Sequence, residues 1–193
     1  ASEKGLELIG MTDHGPAMWG GPHIFHFDNL KVIPGKLHGV EILKGIEANI
    51  IGFDGSIDAA DRNLEGLDIV ISSFHYPCLK PGSINENTAA VIKSMENRYV
   101  NIIGHPDDSR IGLDYTELAK AAADSGVMIE VNNSSLKPST YRQNARENYK
   151  RLLDECYKHN VYIIINSDAH IHTDIGETKE AFELVKSLGY PEE

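Results

Sequence analysis

Val161-Tyr162-Ile163-Ile164-Ile165-Asn166-Ser167-Asp168-Ala169-His170 holds the most continuous apolar run in the chain, and it breaks abruptly into amides, a carboxylate and an imidazole. The run, residues 161–165, is strand-sized and far short of the roughly 18 residues needed to span a bilayer. An Ile-rich run without polar alternation favours a strand covered on both faces, the habit of parallel sheets. Asp168 and His170, two residues apart, can address one cluster from a single turn at the strand's end.

The same grammar recurs upstream. Apolar runs stand at residues 6–11, 40–46 (interrupted by Lys44 and Gly45), 67–72, 100–103 and 127–131. Helical periodicity fills residues 88–95, 115–123, 145–157 and 178–188, with Gly126 after the second of these and Gly189 and Pro191 after the last as stop signals. Strand, helix and strand recurring at intervals of about 30 residues predict βαβ units, an α/β fold with a mainly parallel sheet. The exception is residues 15–39, rich in Gly and Pro, which read as a long loop carrying Trp19, His23, Phe25, His26 and Phe27, with at most a short helix or strand inside. Such a loop is either a wall over a site or a surface loop packed by its own aromatics. No repeat or low-complexity linker divides the chain, so residues 1–193 read as a single domain.

Composition narrows the class. With 18 Lys+Arg against 29 Asp+Glu the net charge is −11, a field that repels phosphodiester polymers, so nucleic acid is not expected as a partner. A small phosphorylated substrate held locally by metal ions is compatible with that field. Hydrophobic residues make up 41%, enough for a core. Cys78 and Cys156 cannot build a disulfide framework and fit a reducing, cytoplasmic setting. No membrane span or signal peptide is expected, and a homo-oligomer is left open. The chain begins without Met, and we expect the native protein to be longer.

Each apolar run leads into a group that can coordinate a metal or support one that does. Run 6–11 is followed by Asp13-His14, 40–46 by Glu47, 67–72 by His75, 100–103 by His105, 127–131 by Asn132, and 161–165 by Asp168 and His170. A barrel of parallel strands opens all carboxyl ends on one face. His14, Glu47, His75, His105, Asp168 and His170 are therefore expected to converge on a multinuclear site. Four imidazoles and two carboxylates without a nearby Cys suit zinc, manganese or iron. One histidine after a strand is more often structural than ligating; recurrence across the strand ends carries the reading.

Supporting roles are assigned more loosely. Asp13 either orients a ligand imidazole or caps a helix. Asn132 and Ser167 are candidates to hydrogen-bond a ligand, a water or phosphate, Asn132 alternatively satisfying loop backbone. His26 is a candidate substrate contact from the loop, since Gly20-Gly21-Pro22 argue against a helix that would pair it with His23. Lys137, Arg110 and Arg142 read first as solvated surface charges and second as phosphate contacts.

Thr12-Asp13-His14-Gly15-Pro16, Gly45-Ile46-Glu47-Ala48-Asn49-Ile50, Phe74-His75, Gly104-His105-Pro106, Glu130-Val131-Asn132-Asn133-Ser134-Ser135 and Asn166-Ser167-Asp168-Ala169-His170 resemble, in order and over nearly the whole chain, the PHP (polymerase and histidinol phosphatase) family, in its YcdX-like phosphatase branch. The resemblance implies a distorted (β/α)7 TIM-like barrel with up to three divalent ions that hydrolyses phosphomonoesters. The family's opening Asp-x-His-x-His segment has no match here, and the chain stops at Pro191-Glu192-Glu193, so the barrel is expected to be incomplete at both termini. On the family's pattern Glu47, His75 and His105 hold one ion, Glu47 and Asp168 share a second, and His14 and His170 hold a third. Glu47 is then the bridging carboxylate, water attacks phosphorus, and Asp168 or His170 relays a proton or only ligates. Alternatives are a PHP-type nuclease or exonuclease on the same ions, and a degenerate metal-binding module if the opening histidines are truly absent. An amidohydrolase-type barrel would want a bridging Lys where Glu47 stands.

Overall fold

Successive side chains of a strand point to opposite faces, so a strand carrying two chemistries presents them to two environments. The computed structural model describes residues 1–190. Its elements in chain order are β1 (Leu8–Met11), α1 (Phe25–Asn29), β2 (Lys36–Leu37), β3 (Val40–Asn49), α2 (Asp61–Leu64), β4 (Ile69–Ser73), α3 (Ile84–Ser94), β5 (Ile102–Gly104), α4 (Tyr115–Ser125), β6 (Met128–Asn132), α5 (Ala145–His159), β7 (Ile163–Asn166) and α6 (Lys179–Ser187). The sheet order is β1-β3-β4-β5-β6-β7, and every neighbouring pair is parallel. In β3 and β6, Ile46, Ala48, Ile129 and Val131 lie on one face and are fully buried in the apolar core. Alternation puts Glu47, Asn49, Glu130 and Asn132 on the opposite face, and all four are buried as well. That polar inner face is where the site forms.

Helix boundaries follow ordinary capping chemistry. Ser83 and Glu86 close a reciprocal capping box at the start of α3. Asp114 accepts from the backbone of Thr116 and Glu117 at the start of α4, and Gly126, at φ 72°, ends it. The core faces of α4 and α5 bury Leu118, Ala119 and Ala122 against Tyr149, Leu152, Leu153 and Cys156.

Although β1 and β7 are the two ends of the strand order, the His14 and His170 rings just beyond them stand 5.7 Å apart, centroid to centroid. The sheet is therefore curled into a half-barrel, an α/β architecture of partial TIM-like form. Several expectations need adjustment. Only the central strands are buried on both faces; β1 and β7, as sheet ends, are partly exposed. Glu47 lies within β3 rather than after it, because pairing with β4 continues to Asn49 opposite Ser73. The loop at residues 15–39 does hold short elements, as expected: α1, which starts just past Gly20-Gly21-Pro22, and β2, an antiparallel ribbon on β3 that adds no barrel strand. The helix stop assigned to Pro191 and the short end at Pro191-Glu192-Glu193 lie outside the described residues. Among the described residues no helix is long and apolar enough to cross a membrane.

Ile129 is fully buried within β6. Ile129→Ala should cost about 2–5 kcal/mol of folding stability by lost burial plus a cavity, measured as a lowered denaturant midpoint at unchanged m-value.

Candidate metal centre

Glu47 is the hub. Its Oε1 stands 2.8 Å from His105 Nε2 and 3.3 Å from His75 Nε2, and its Oε2 stands 2.8 Å from His14 Nδ1. The two imidazoles on the Oε1 side approach each other as well, Nε2 to Nε2, at 3.1 Å. The backbone brings these groups together by register. The segment after β1 continues the ladder, with the Glu47 amide donating to the Asp13 carbonyl (2.9 Å) and the Gly15 amide to the Glu47 carbonyl (2.8 Å). His75 follows β4, the neighbour on the other side of β3, and His105 follows β5, the strand beyond β4.

Three contacts with imidazoles hold the Glu47 carboxyl well below the usual range despite a burial that opposes its ionisation. His105 goes the other way: burial first, then the Arg142 cation, push it down to about 4, so it is neutral near pH 7. Arg142 Nη1 donates to His105 Nδ1 at 2.9 Å, which leaves the proton of the neutral ring on Nε2, facing Glu47. His14 is raised, chiefly by its contact with Glu47, with burial opposing and the charges of Asp168 and Asp13 adding. Yet His14 Nδ1 is buried and makes no hydrogen bond, because Glu47 Oε2 is near it in distance but off its ring axis.

The donor set fits a divalent cation. Nitrogens on a tetrahedral ion with bonds of about 2.0–2.1 Å sit roughly 3.3 Å apart. The separations among Glu47 Oε1, His75 Nε2 and His105 Nε2 are 2.8, 3.1 and 3.3 Å. His14, Glu47 and His75 likewise offer ligand atoms all within 4.8 Å of one another. His105 would ligate through Nε2 only with its ring proton moved to Nδ1, so cation binding there requires Arg142 to release that nitrogen.

Asp168 and His170 stand apart from this tight group. Asp168 is held by Asn132, whose Nδ2 donates to its Oδ2 at 2.9 Å. His170 is mostly exposed, with Nδ1 3.5 Å from Asp168 Oδ1 and its ring tilted toward His14. Asn132 thus serves a neighbouring carboxylate and, through its oxygen, the Ser135 backbone. Ser167 makes no side-chain hydrogen bond among the described residues. Asp13 does not orient a candidate ligand: its imidazole partner is His26, at 2.9 Å across the mouth of the loop. His23 lies before α1, its Nδ1 accepting from the Phe25 amide. Arg142 is buried rather than solvated, Arg110 is locked on Asp108, and Lys137 pairs with Asp174 at 2.8 Å. Burial pushes the thiols of Cys78 and Cys156 up to about 11 and about 12, so neither is a thiolate near neutral pH.

Reading for ligand types missed the residues that hold the ligands. Asn49 accepts from His75 Nδ1 at 2.7 Å. Glu130 accepts from the His105 amide (2.8 Å) and from Asn166 Nδ2 (2.8 Å) beneath the site, and burial raises it to about 7. The signal was present in the alternation: Asn49 stands two residues after Glu47 in one strand, and Glu130 two before Asn132 in another.

Fold and site together define a TIM-like α/β protein with a histidine–carboxylate centre at the carboxyl ends of its strands. No family model matches the chain. It is 44% identical over 193 residues to a probable phosphatase of Clostridium botulinum, covering 100% of this chain and 78% of that protein. A probable phosphatase of Caldanaerobacter subterraneus subsp. tengcongensis is 45% identical over 194 residues, covering 100% of this chain and 76% of the relative. The chain belongs to the family of these probable phosphatases. Among solved structures, a histidinol phosphate phosphatase from Lactococcus lactis, complexed with zinc, L-histidinol and phosphate, shares the fold at a TM-score of 0.62 and 17% identity, covering 99% of this chain and 85% of that one. Archaeal ribonuclease P with mature tRNA contains a chain alike at a TM-score of 0.53 and 17% identity, covering 96% and 83%.

Cation binding must displace protons from this centre, so affinity for zinc should weaken steadily from pH 8 to pH 6, His14, raised above 6.5, being an early group to protonate. Calorimetric titration at several pH values checks this; an affinity that does not change with pH would remove the imidazoles from the ligand set.

Proposed function

We propose that the protein is a metal-dependent phosphomonoesterase acting on a small phosphorylated substrate. The observation that carries this reading is the division of Glu47: one carboxylate oxygen faces His75 and His105, the other faces His14. A carboxylate so divided is built to serve two cation positions at once. The family of probable phosphatases and the zinc and phosphate in the Lactococcus structure support the same reading. Zinc, manganese and iron all suit the donors.

When bound, divalent cations supply electrophilic activation of the phosphoryl group and of a water. The chain's own groups do the positioning. Glu47, set on a rigid strand, would hold cations through its two oxygens, and Asn132 donates to Asp168. We assign proton delivery to the leaving group to Asp168 and His170, the latter being the most exposed member of the set. Arg142, its guanidinium buried beside His105, adds a fixed positive charge behind the site. The net charge of −11 selects against long polyanions and leaves compact phosphate esters as substrates.

Glu47→Gln keeps the shape of the side chain and removes its charge. It should lower turnover of a generic aryl phosphate by at least about a hundredfold while leaving the circular dichroism spectrum unchanged. Chelation should inactivate the wild type, with recovery on adding manganese or zinc. Retention of most activity by Glu47→Gln would overturn the reading.

A further inference from the structure

Asp58 lies outside the ligand set, on the segment that returns beside the end of β3, where Ile57 bridges Ile50 and the Asp58 amide donates to the Asn49 carbonyl at 3.1 Å. Its carboxylate gathers three donors. Oδ1 accepts from the Asn49 backbone amide (2.8 Å), and Oδ2 from Asn49 Nδ2 (2.6 Å) and the Ala17 amide (2.8 Å). A carboxylate can only accept, so the Asn49 side-chain atom facing it is the NH2 group. The Asn49 amide oxygen is thereby turned to His75 Nδ1, 2.7 Å away. An amide oxygen also only accepts, so the His75 proton is on Nδ1. With that tautomer the lone pair lies on Nε2, the nitrogen that faces Glu47 and His105.

A second, independent observation ties the same carboxylate to the other side of the centre. A Cβ on Gly15 would stand within 2.7 Å of the three terminal atoms of the Asp58 carboxyl group, and Gly15 directly follows His14. Gly15 has no positive φ to require glycine; the approach of Asp58 requires it.

We propose that Asp58 is a positioning residue that, through the Asn49 amide, sets the Nε2-ligating form of His75 while anchoring the loop that leaves His14. The consequence for metal uptake rests on the metal-centre reading above; the ring protonation does not.

The test is Asp58→Asn. Its amide can no longer accept three donors; with the NH2 in the Oδ2 position, rotation of the Asn49 amide by half a turn restores the Asn49 pairing, while the Ala17 amide loses its acceptor. That rotation presents NH2 to His75 Nδ1 and moves the ring proton to Nε2. Long-range 1H–15N correlation spectra of the metal-free protein should therefore show His75 protonated on Nδ1 in the wild type and on Nε2 in the variant. Competition against a chromogenic chelator should show zinc affinity reduced by about 10- to 100-fold. Gly15→Ala, which pushes the carboxylate aside without removing it, should weaken zinc binding in the same direction, and Asp58→Glu, which keeps an acceptor-only head group, should restore part of it. A wild-type His75 protonated on Nε2, or an Asp58→Asn protein with the wild-type tautomer and zinc affinity within twofold, overturns the proposal. If the wild type takes up no zinc, the metal-centre reading fails, and the ring protonation alone then decides the role of Asp58.

Discussion

The buried carboxylate of Glu47, met by imidazoles from three other chain segments, is the constraint around which the rest is arranged. Carboxylate oxygens and imidazole nitrogens are all acceptors unless a proton or a cation lies between them, so their convergence at 2.8–3.3 Å needs a shared proton or a cation at its centre. Nothing local to Glu47 supplies its partners. His14 comes from the end of β1, His75 from the end of β4 and His105 from the end of β5, and only parallel pairing brings those ends to one rim. Register matters as much as topology. A slip of one residue in β3 would turn Glu47 into the apolar face and bring Ile46 or Ala48 to the centre.

Around this hub the inner face of the half-barrel is polar at depth, and each buried group there answers to another. Asn49 faces His75, Glu130 accepts from the His105 amide and from Asn166, and Asn132 holds Asp168. Arg142 closes the back of His105. Such a layer carries a desolvation cost that hydrogen bonding offsets only when the geometry is tight. Tightness in turn dictates glycine at two places. A Cβ on Gly104 would crowd the side chains of Ser73 and Ile71, and one on Gly15 the carboxyl group of Asp58. Both glycines immediately adjoin histidines of the cluster. Backbone closeness and ligand placement are one problem there, solved with one residue type.

The candidate ligands were legible because each stands at or near the end of an apolar run, a position visible along the chain. Their supports were not. Asn49 reads as an ordinary residue at the end of a strand until His75 arrives from 26 residues away. Arg142 reads as a surface charge because nothing in its neighbourhood along the chain reveals that it will be covered and aimed at His105. Asp13 and His26 were both picked out, but their pairing with each other depends on how α1 folds the loop back across the rim. A short helix in that loop was legible, but its start was not, because Gly20-Gly21-Pro22 end just before it begins.

Apolar run lengths, helical periodicity and stop signals determined the α/β class and the parallel order of elements by themselves, because burial on both faces and capping are local properties of composition and spacing. The residue types at the strand ends likewise marked a metal-type chemistry without reference to shape. The curl that sets His14 near His170, the division of Glu47 between two groups of imidazoles and the ring nitrogen that each histidine presents were decided only in three dimensions. These depend on angles and hydrogen-bond direction between groups distant along the chain, and one-dimensional spacing does not encode direction.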